Sequence, residues 1–326
     1  MKQLFLIVLF AIGSSSILFA QPANGPVARN GALSVIGGKI VNQYGRPPQL
    51  WGISFSWSIW QGRKYYNPQA LDWLVSDFKV SVVRLAMAVQ PRRGYLMQPD
   101  SQKQLITAMV DEAVKDGIYV LIDWHDHNCN QHLQQSKAFF AEMAQHYKGV
   151  PNVIYEIWNE PTRISWDTVK NYAVQVITEI RKYDPDNLIL VGSPHWDQDV
   201  DIAAANPITG FKNIAYTFHF YASDAGHQDK LRAKGDAAIK MGLPLFVSEW
   251  GVGEASGNGV FDLDKTNKWM QWLKHNKLSW ANWNLTDKNE TTAFLKPGAP
   301  VNGGWTEEQL TPAGLFIRTE LRKLNK

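Results

Sequence analysis

From about Leu50 onward, short apolar runs rich in β-branched and aromatic residues alternate with longer stretches in which apolar residues recur every three or four positions. The first pattern suits strands buried on both faces and the second amphipathic helices, so their alternation predicts parallel strands joined by crossover helices. Eight runs read as strands: Leu50 to Ser54, Val80 to Ala86, Ile118 to Trp124, Val153 to Trp158, Leu188 to Gly192, Ile214 to Phe220, Leu243 to Glu249 and Ser279 to Trp283. After the fourth, Val169, Tyr172, Ala173, Val176, Ile177 and Ile180 share one face of a helix that Pro185 stops. The last helix opens at Thr311-Pro312, a capping hydroxyl followed by a proline whose missing N–H costs nothing in the first turn. The count predicts one α/β domain over residues 36–326, a (β/α)8 TIM barrel with its site where strands end and βα loops begin.

Ahead of the barrel, Met1-Lys2, an apolar run from Leu4 to Ile12, Gly13 and Ala20 follow the plan of a secretory signal peptide over residues 1–20. The run is short for a membrane span, which makes an uncleaved anchor the lesser alternative. Residues 21–35, rich in Gly, Pro, Ala and Asn, read as a flexible leader. The expected location is outside the cytoplasm, secreted or periplasmic. Cys129 is the only cysteine, so no intramolecular disulfide can staple the fold. With 33 Lys and Arg against 30 Asp and Glu, the chain has no field that would suit nucleic acid or an anionic membrane, and a neutral substrate is expected. No second apolar stretch of about 18 residues and no internal repeat is present, so a soluble monomer without cofactor or metal is expected.

Polar side chains at the ends of apolar strands are costly to bury unless function or pairing requires them. Arg84, Asp123, His125, Asn159, Glu160, His219, Tyr221 and Glu249 stand there. Glycoside hydrolysis needs two carboxyl groups astride a sugar ring, and Glu160 and Glu249, at the ends of the fourth and seventh strands, meet that need. Arg84 is expected to hold Glu249 ionised or else to close the barrel in a salt bridge. Asn159 can donate to a sugar hydroxyl. His219 and Tyr221 share one face of their strand, with Tyr221 reaching the nucleophile and His219 tuning the site or packing as a core histidine. Flat C–H faces of pyranoses suit tryptophan, of which the chain has 14. Trp60, Trp196, Trp250 and Trp283 are expected along a sugar-binding cleft, and Trp73, Trp269 and Trp272 in helical packing.

The segment from about Ile36 to the C-terminus resembles glycoside hydrolase family 5, and within it the bacterial β-1,4-endoglucanase branch. The resemblance rests on Val83-Arg84-Leu85, Ile122-Asp123-Trp124-His125, Tyr155-Glu156-Ile157-Trp158-Asn159-Glu160-Pro161, His219-Phe220-Tyr221, Val247-Ser248-Glu249-Trp250-Gly251 and Trp280-Ala281-Asn282-Trp283, in that order. It implies a retaining enzyme with Glu160 as acid/base and Glu249 as nucleophile, supported by Arg84, His125, Asn159, His219, Tyr221 and Trp283. It also implies that Lys288 and Glu290 bind glucose hydroxyls on the non-reducing side of the cut, with Trp60 and Trp196 as platforms on either side. Tyr95 joins this substrate-binding set. Ser56 stands where many members of the branch have a histidine, and Trp158 where a smaller residue is common.

Three other readings remain at this point. The same site could take mannan, xyloglucan or mixed-linkage glucan, since such preferences turn on a few hydrogen bonds. His125-Asp126-His127 has the look of a metal-dependent hydrolase. A non-catalytic sugar-binding protein would keep the aromatic cleft, but has no need of an opposed carboxylate pair.

Overall fold

The computed structural model describes residues 22–325, and the predicted signal peptide lies outside them. Eight parallel strands close into a barrel in sequence order: β1 Trp51–Phe55, β2 Val82–Ala88, β3 Tyr119–His125, β4 Val153–Glu156, β5 Ile189–Val191, β6 Ile214–Tyr221, β7 Leu245–Gly251 and β8 Trp280–Leu285, which pairs back onto β1. All eight fall within the apolar runs of the sequence, shifted by a few residues at their ends. The helix Trp166–Arg181 buries the six predicted positions and is capped by Ser165, whose side chain accepts from the Thr168 N–H. Thr311 caps Pro312–Leu324 in the same way through the Gly314 N–H.

Alternation along the strands divides the core in two. Val83, Leu85, Met87, Ile122, Trp124, Val247 and Trp280 face outward and pack beneath the helices. Val82, Tyr119, Leu121, Ile154, Leu190, Ala215 and Phe246 face inward and fill the end of the barrel where the strands begin. Val27, Leu33 and Ile40 join that inner cluster from below.

This last contact corrects the expectation of a flexible leader. Pro26–Asn30 is a short helix, Val27 is buried and its N–H donates to the Gly117 carbonyl at 3.0 Å. A hairpin follows, Ser34–Ile36 against Lys39–Val41. Its two-residue turn is Gly37-Gly38, with φ of 57° and 73°, the positive values that such a tight hairpin demands and that glycine adopts without strain. Low hydropathy conceals a segment that closes the barrel floor with Val27, Leu33, Ile40 and the partly buried Val35. At the other terminus Asn325 Nδ2 donates to the Trp51 carbonyl at 3.0 Å, also at the floor.

Cys129 is fully buried, its thiol donates to the Asp126 carbonyl, and burial pushes its pKa well above the usual thiol range. Among the described residues no helix is long and apolar enough to cross a membrane.

Candidate active site

Two residues further along the strands the apolar interior turns ionic. Val82 gives way to Arg84, Leu121 to Asp123, Ile154 to Glu156 and Phe246 to Ser248, and none of these four polar side chains is more than 0% exposed. Arg84 is the hub. Its Nε and Nη2 donate to the two oxygens of Glu156 at 2.7 and 3.2 Å, and Nη1 donates to Glu249 Oε2 at 2.7 Å. Nη2 also reaches Asp123 Oδ2 at 2.9 Å and Asn159 Oδ1 at 2.6 Å. Burial opposes the guanidinium charge, but Asp123, Glu156 and Glu249 outweigh it and raise the Arg84 pKa well above its ordinary value. Burial pushes Asp123 up to about 7 against the pull of Arg84, and raises Glu156 in the same sense. Arg84 thus joins strands β2, β3 and β4 and reaches Glu249.

The register of β6 on β7 shows how Ser248 and Glu249 both enter the barrel. Thr217 pairs with Phe246 but His219 pairs with Glu249, so β7 carries one extra residue there. Such a bulge breaks the strict alternation and lets two consecutive side chains share a face. Ser248 donates to Glu156 Oε1 at 2.7 Å and meets His219 Nε2 at 2.9 Å, while Glu249 takes the Tyr221 hydroxyl at 2.7 Å. Burial, then Glu249, raise the Tyr221 phenol well above its usual range, so it stays protonated and donates. Trp250 resumes the outward direction. It is fully buried, stacked on Phe220 at 5.5 Å and edge-on to Trp280, so it is not a cleft residue.

Glu160 lies just past β4 in a left-handed conformation, φ 52°. Oε1 meets His219 Nδ1 at 3.1 Å and Oε2 meets His127 Nε2 at 3.3 Å. The Ser248 hydroxyl proton is committed to Glu156, so His219 Nε2 must donate to Ser248 and Nδ1 faces Glu160. Burial works against a charge on either member of the pair. Asp197 and Glu160 overcome it and push His219 up to about 9, while the hydrogen bonds from His127 and His219 overcome it and pull Glu160 well below the usual carboxylate range. A carboxylate oxygen of Glu160, one of Glu249 and a nitrogen of His219 lie within 4.8 Å of one another.

Asn159 Oδ1 is held by Arg84, which turns Nδ2 the other way, and that buried donor has no partner among the described residues. His125 Nδ1 bonds Asp123 Oδ2 at 2.7 Å, and its ring stacks parallel to Trp283 at 5.5 Å. Burial and Arg84 lower the His125 pKa to about 3, which keeps the imidazole neutral. Asp126 turns instead to His132 Nδ1 at 2.7 Å, so the His125-Asp126-His127 string does not converge on one point.

The cleft has two lobes that share Glu160, His127 and Tyr221. One, about 340 Å³, is lined by Trp57, Trp60, His125, Trp283, Lys288 and Glu290 beside Glu249. The other, about 600 Å³, is lined by His195, Trp196, Gln198 and His227. Trp60 is 65% exposed at the rim, and Lys288 Nζ pairs with Glu290 Oε2 at 2.5 Å. Ser56, at the departure noted in the sequence, lines the first lobe. Tyr95 is elsewhere: its ring packs on Trp124 at 4.9 Å and Phe139 at 5.4 Å in the outer core, leaving it 7% exposed. Trp158 is buried against Tyr172 at 4.7 Å, behind the Glu160 loop. A cavity of about 610 Å³ beside the hairpin is as large as either lobe, but no carboxylate or histidine lines it.

Sequence reasoning overlooks Glu156, Ser248, Asp197 and Trp57, and weighs His127 only as a metal ligand. Trp57 meets the His125 ring edge-on at 4.2 Å and shapes the first lobe. Glu156 stood two residues after Ile154 in a buried run, and that spacing was the signal that could have found it.

A closed (β/α)8 barrel with two carboxylates opposed across its mouth, between aromatic lobes, has the architecture of a glycoside hydrolase. The model of the cellulase family, glycosyl hydrolase family 5, matches residues 41–289, and the chain belongs to that family. It is 40% identical over 319 residues to an endoglucanase of Clostridium saccharobutylicum, covering 96% of this chain and 70% of that protein. Endoglucanase 5 of Pectobacterium carotovorum is also 40% identical, over 98% of this chain and 63% of its own length. The chain therefore spans about two thirds of these relatives. The catalytic domain of Thermobifida fusca endoglucanase Cel5A superposes with a TM-score of 0.87 at 33% identity, covering 91% of this chain and 99% of that one.

Proposed function

We propose that the chain is an exported, retaining endo-β-1,4-glucanase that cuts internal bonds of cellulose or related β-glucans. Glu249 attacks the anomeric carbon, the glycosidic C–O bond breaks, and Glu160 delivers a proton to the departing oxygen. Water then gives a proton back to Glu160 and attacks the same carbon, releasing Glu249. The observation that carries this reading is the closeness of the two carboxylates, with oxygens within 4.8 Å. Retaining enzymes hold the pair about 5 Å apart, whereas inversion needs roughly 6.5 to 9.5 Å to admit water between them.

His219 Nδ1, 3.1 Å from Glu160 Oε1, is placed to pass a proton to that carboxylate. That transfer readies the acid and leaves His219 neutral, still donating to Ser248. Arg84 and Tyr221 both donate to Glu249, fixing its attack geometry. The free Asn159 Nδ2 is a donor for a hydroxyl next to the reacting carbon. Lobes on both sides of Glu160 suit a chain that passes through the site, hence internal cleavage. Relatives named endoglucanase, and a complex of the Thermobifida enzyme with cellotetraose, support β-1,4-glucan as the substrate. Export rests on the pattern of residues 1–20.

Proton NMR of the first product from a soluble β-glucan tests the mechanism. The β anomer is expected to appear first, and an initial α anomer refutes it. Reducing ends released from glucan, mannan, xyloglucan and mixed-linkage glucan in parallel test the specificity, with glucan expected to be cut fastest. Release from none of them refutes the enzymatic reading.

A further inference from the structure

Asp197 is fully buried beneath the cleft, and each of its oxygens has a backbone partner. Oδ2 accepts the Glu160 N–H at 3.0 Å and Oδ1 accepts the Ser193 N–H at 2.5 Å. It stands third in a run of left-handed residues without glycine, His195, Trp196 and Asp197, with φ of 60°, 57° and 59°. Left-handed backbone is unfavourable for residues bearing a Cβ, and three in succession persist only where the surroundings fix them.

The surroundings here are the Glu160 loop itself. The His195 N–H donates to the Thr162 carbonyl at 2.9 Å and the Trp196 N–H to the Pro161 carbonyl at 2.8 Å. The Trp196 turn and the loop bearing Glu160 are thereby bonded face to face, and the Asp197 carboxylate closes the join from below. Gly192 leaves room for it: a Cβ there would lie 2.9 Å from Asp197 Oδ1 and 2.7 Å from the Trp158 carbonyl oxygen. Glu160 is itself left-handed, so its backbone needs an external partner to hold its carboxyl between His127 and His219.

We propose that Asp197 is a positioning residue for proton transfer, clamping the backbone of Glu160 and tying it to the turn that presents Trp196. The inference rests on the reading of Glu160 as acid/base. An amide at position 197 could accept only one of the two N–H groups and would turn its own NH2 toward the other, so Asp197→Asn releases the clamp at almost constant volume; it also removes the carboxylate charge 3.5 Å from His219 Nδ1. Gly192→Ala displaces the same carboxylate without removing its charge, and its Cβ would also meet Pro161 Cδ and the Trp158 carbonyl oxygen, each at 2.7 Å.

The experiment compares kcat/KM for two substrates whose need for an acid differs. Cellotetraose expels a sugar alcohol that must be protonated, and 2,4-dinitrophenyl β-cellobioside expels a phenolate that need not be. For Asp197→Asn and Gly192→Ala, with folded protein quantified by near-UV circular dichroism, cellotetraose cleavage is expected to fall roughly 10- to 100-fold. Dinitrophenyl cellobioside should stay within about threefold of wild type, because its cleavage draws little on general acid catalysis. Equal losses on both substrates, or no loss on either, overturn the proposal, and Asp197→Ser serves the same comparison if either variant does not fold. Glu160→Ala is measured alongside. If it fails to separate the two substrates, the acid/base reading falls; if it separates them and the Asp197 and Gly192 variants do not, only the positioning role falls.

Discussion

The floor and the mouth of the barrel are made by the same strands two residues apart, and their interiors differ in every physical respect. At the floor Val82, Leu121, Ile154 and Phe246 meet as an apolar layer sealed by Val27, Leu33 and Ile40. At the mouth, one step along each strand, a single fully buried guanidinium faces three carboxylates, of which Glu249 borders the cleft. The floor gains stability from burial alone, in proportion to area. The mouth spends stability on desolvated charge and recovers it only while every partner is present, which is how a site keeps reactive groups fixed in one geometry.

The sharpest way to separate the two regions is to remove a reacting group. Glu249→Gln should lower kcat/KM on cellotetraose by roughly 10⁴- to 10⁶-fold, read by reducing-end assay. Arg84→Met strikes the hub and should cost both stability and activity. About 3 to 5 kcal/mol of stability is expected to be lost in urea unfolding, because Asp123, Glu156 and Glu249 are left buried without their cation, and activity should collapse with it. Phe246→Ala at the floor should cost a comparable 3 kcal/mol or so by opening a cavity, yet leave kcat per folded molecule within about twofold of wild type. A floor substitution that abolished activity, or an Arg84 substitution that spared it, would dissolve the division between the regions.

The smallest effect is a pH dependence confined to the mouth. His219 has its pKa raised from 6.5 to about 9, so its contribution is complete below pH 6.5 and is lost as pH rises through about 9. Urea unfolding from pH 6 to pH 10 should show wild type losing up to about 3 kcal/mol relative to His219→Gln across that window. Parallel profiles would show that His219 gains no proton affinity from Asp197 and Glu160.

Much of this division was visible in the chain before its coordinates. Strands buried on both faces must be continuously apolar, so the eight runs and the charges at their ends stood out without any contact information. Glu160, Glu249, Arg84, His219 and Tyr221 were marked by that rule, and the structure brings them together. What escaped depended on local geometry that composition does not encode. The one-residue bulge in β7 decides that Ser248 turns inward beside Glu249 while Trp250 turns out, and no residue type announces it. Asp197 was invisible because it lies in a loop and acts on backbone N–H groups. Tyr95 and Trp250 are expected in the cleft and lie in the core, because the pleat and the helix layer decide where a ring goes. The segment before the hairpin reads as a leader because it has too few apolar residues to show a period, yet Val27 and Leu33 dock it.

Both ends of the described chain converge on the floor, where the Val27 N–H holds Gly117 and Asn325 holds the start of β1. The cleft opens at the opposite end of the barrel. A tether fixed to either end, whether to a solid support or to a fused partner, would therefore leave the mouth facing outward, and long insoluble chains could still enter it from both sides.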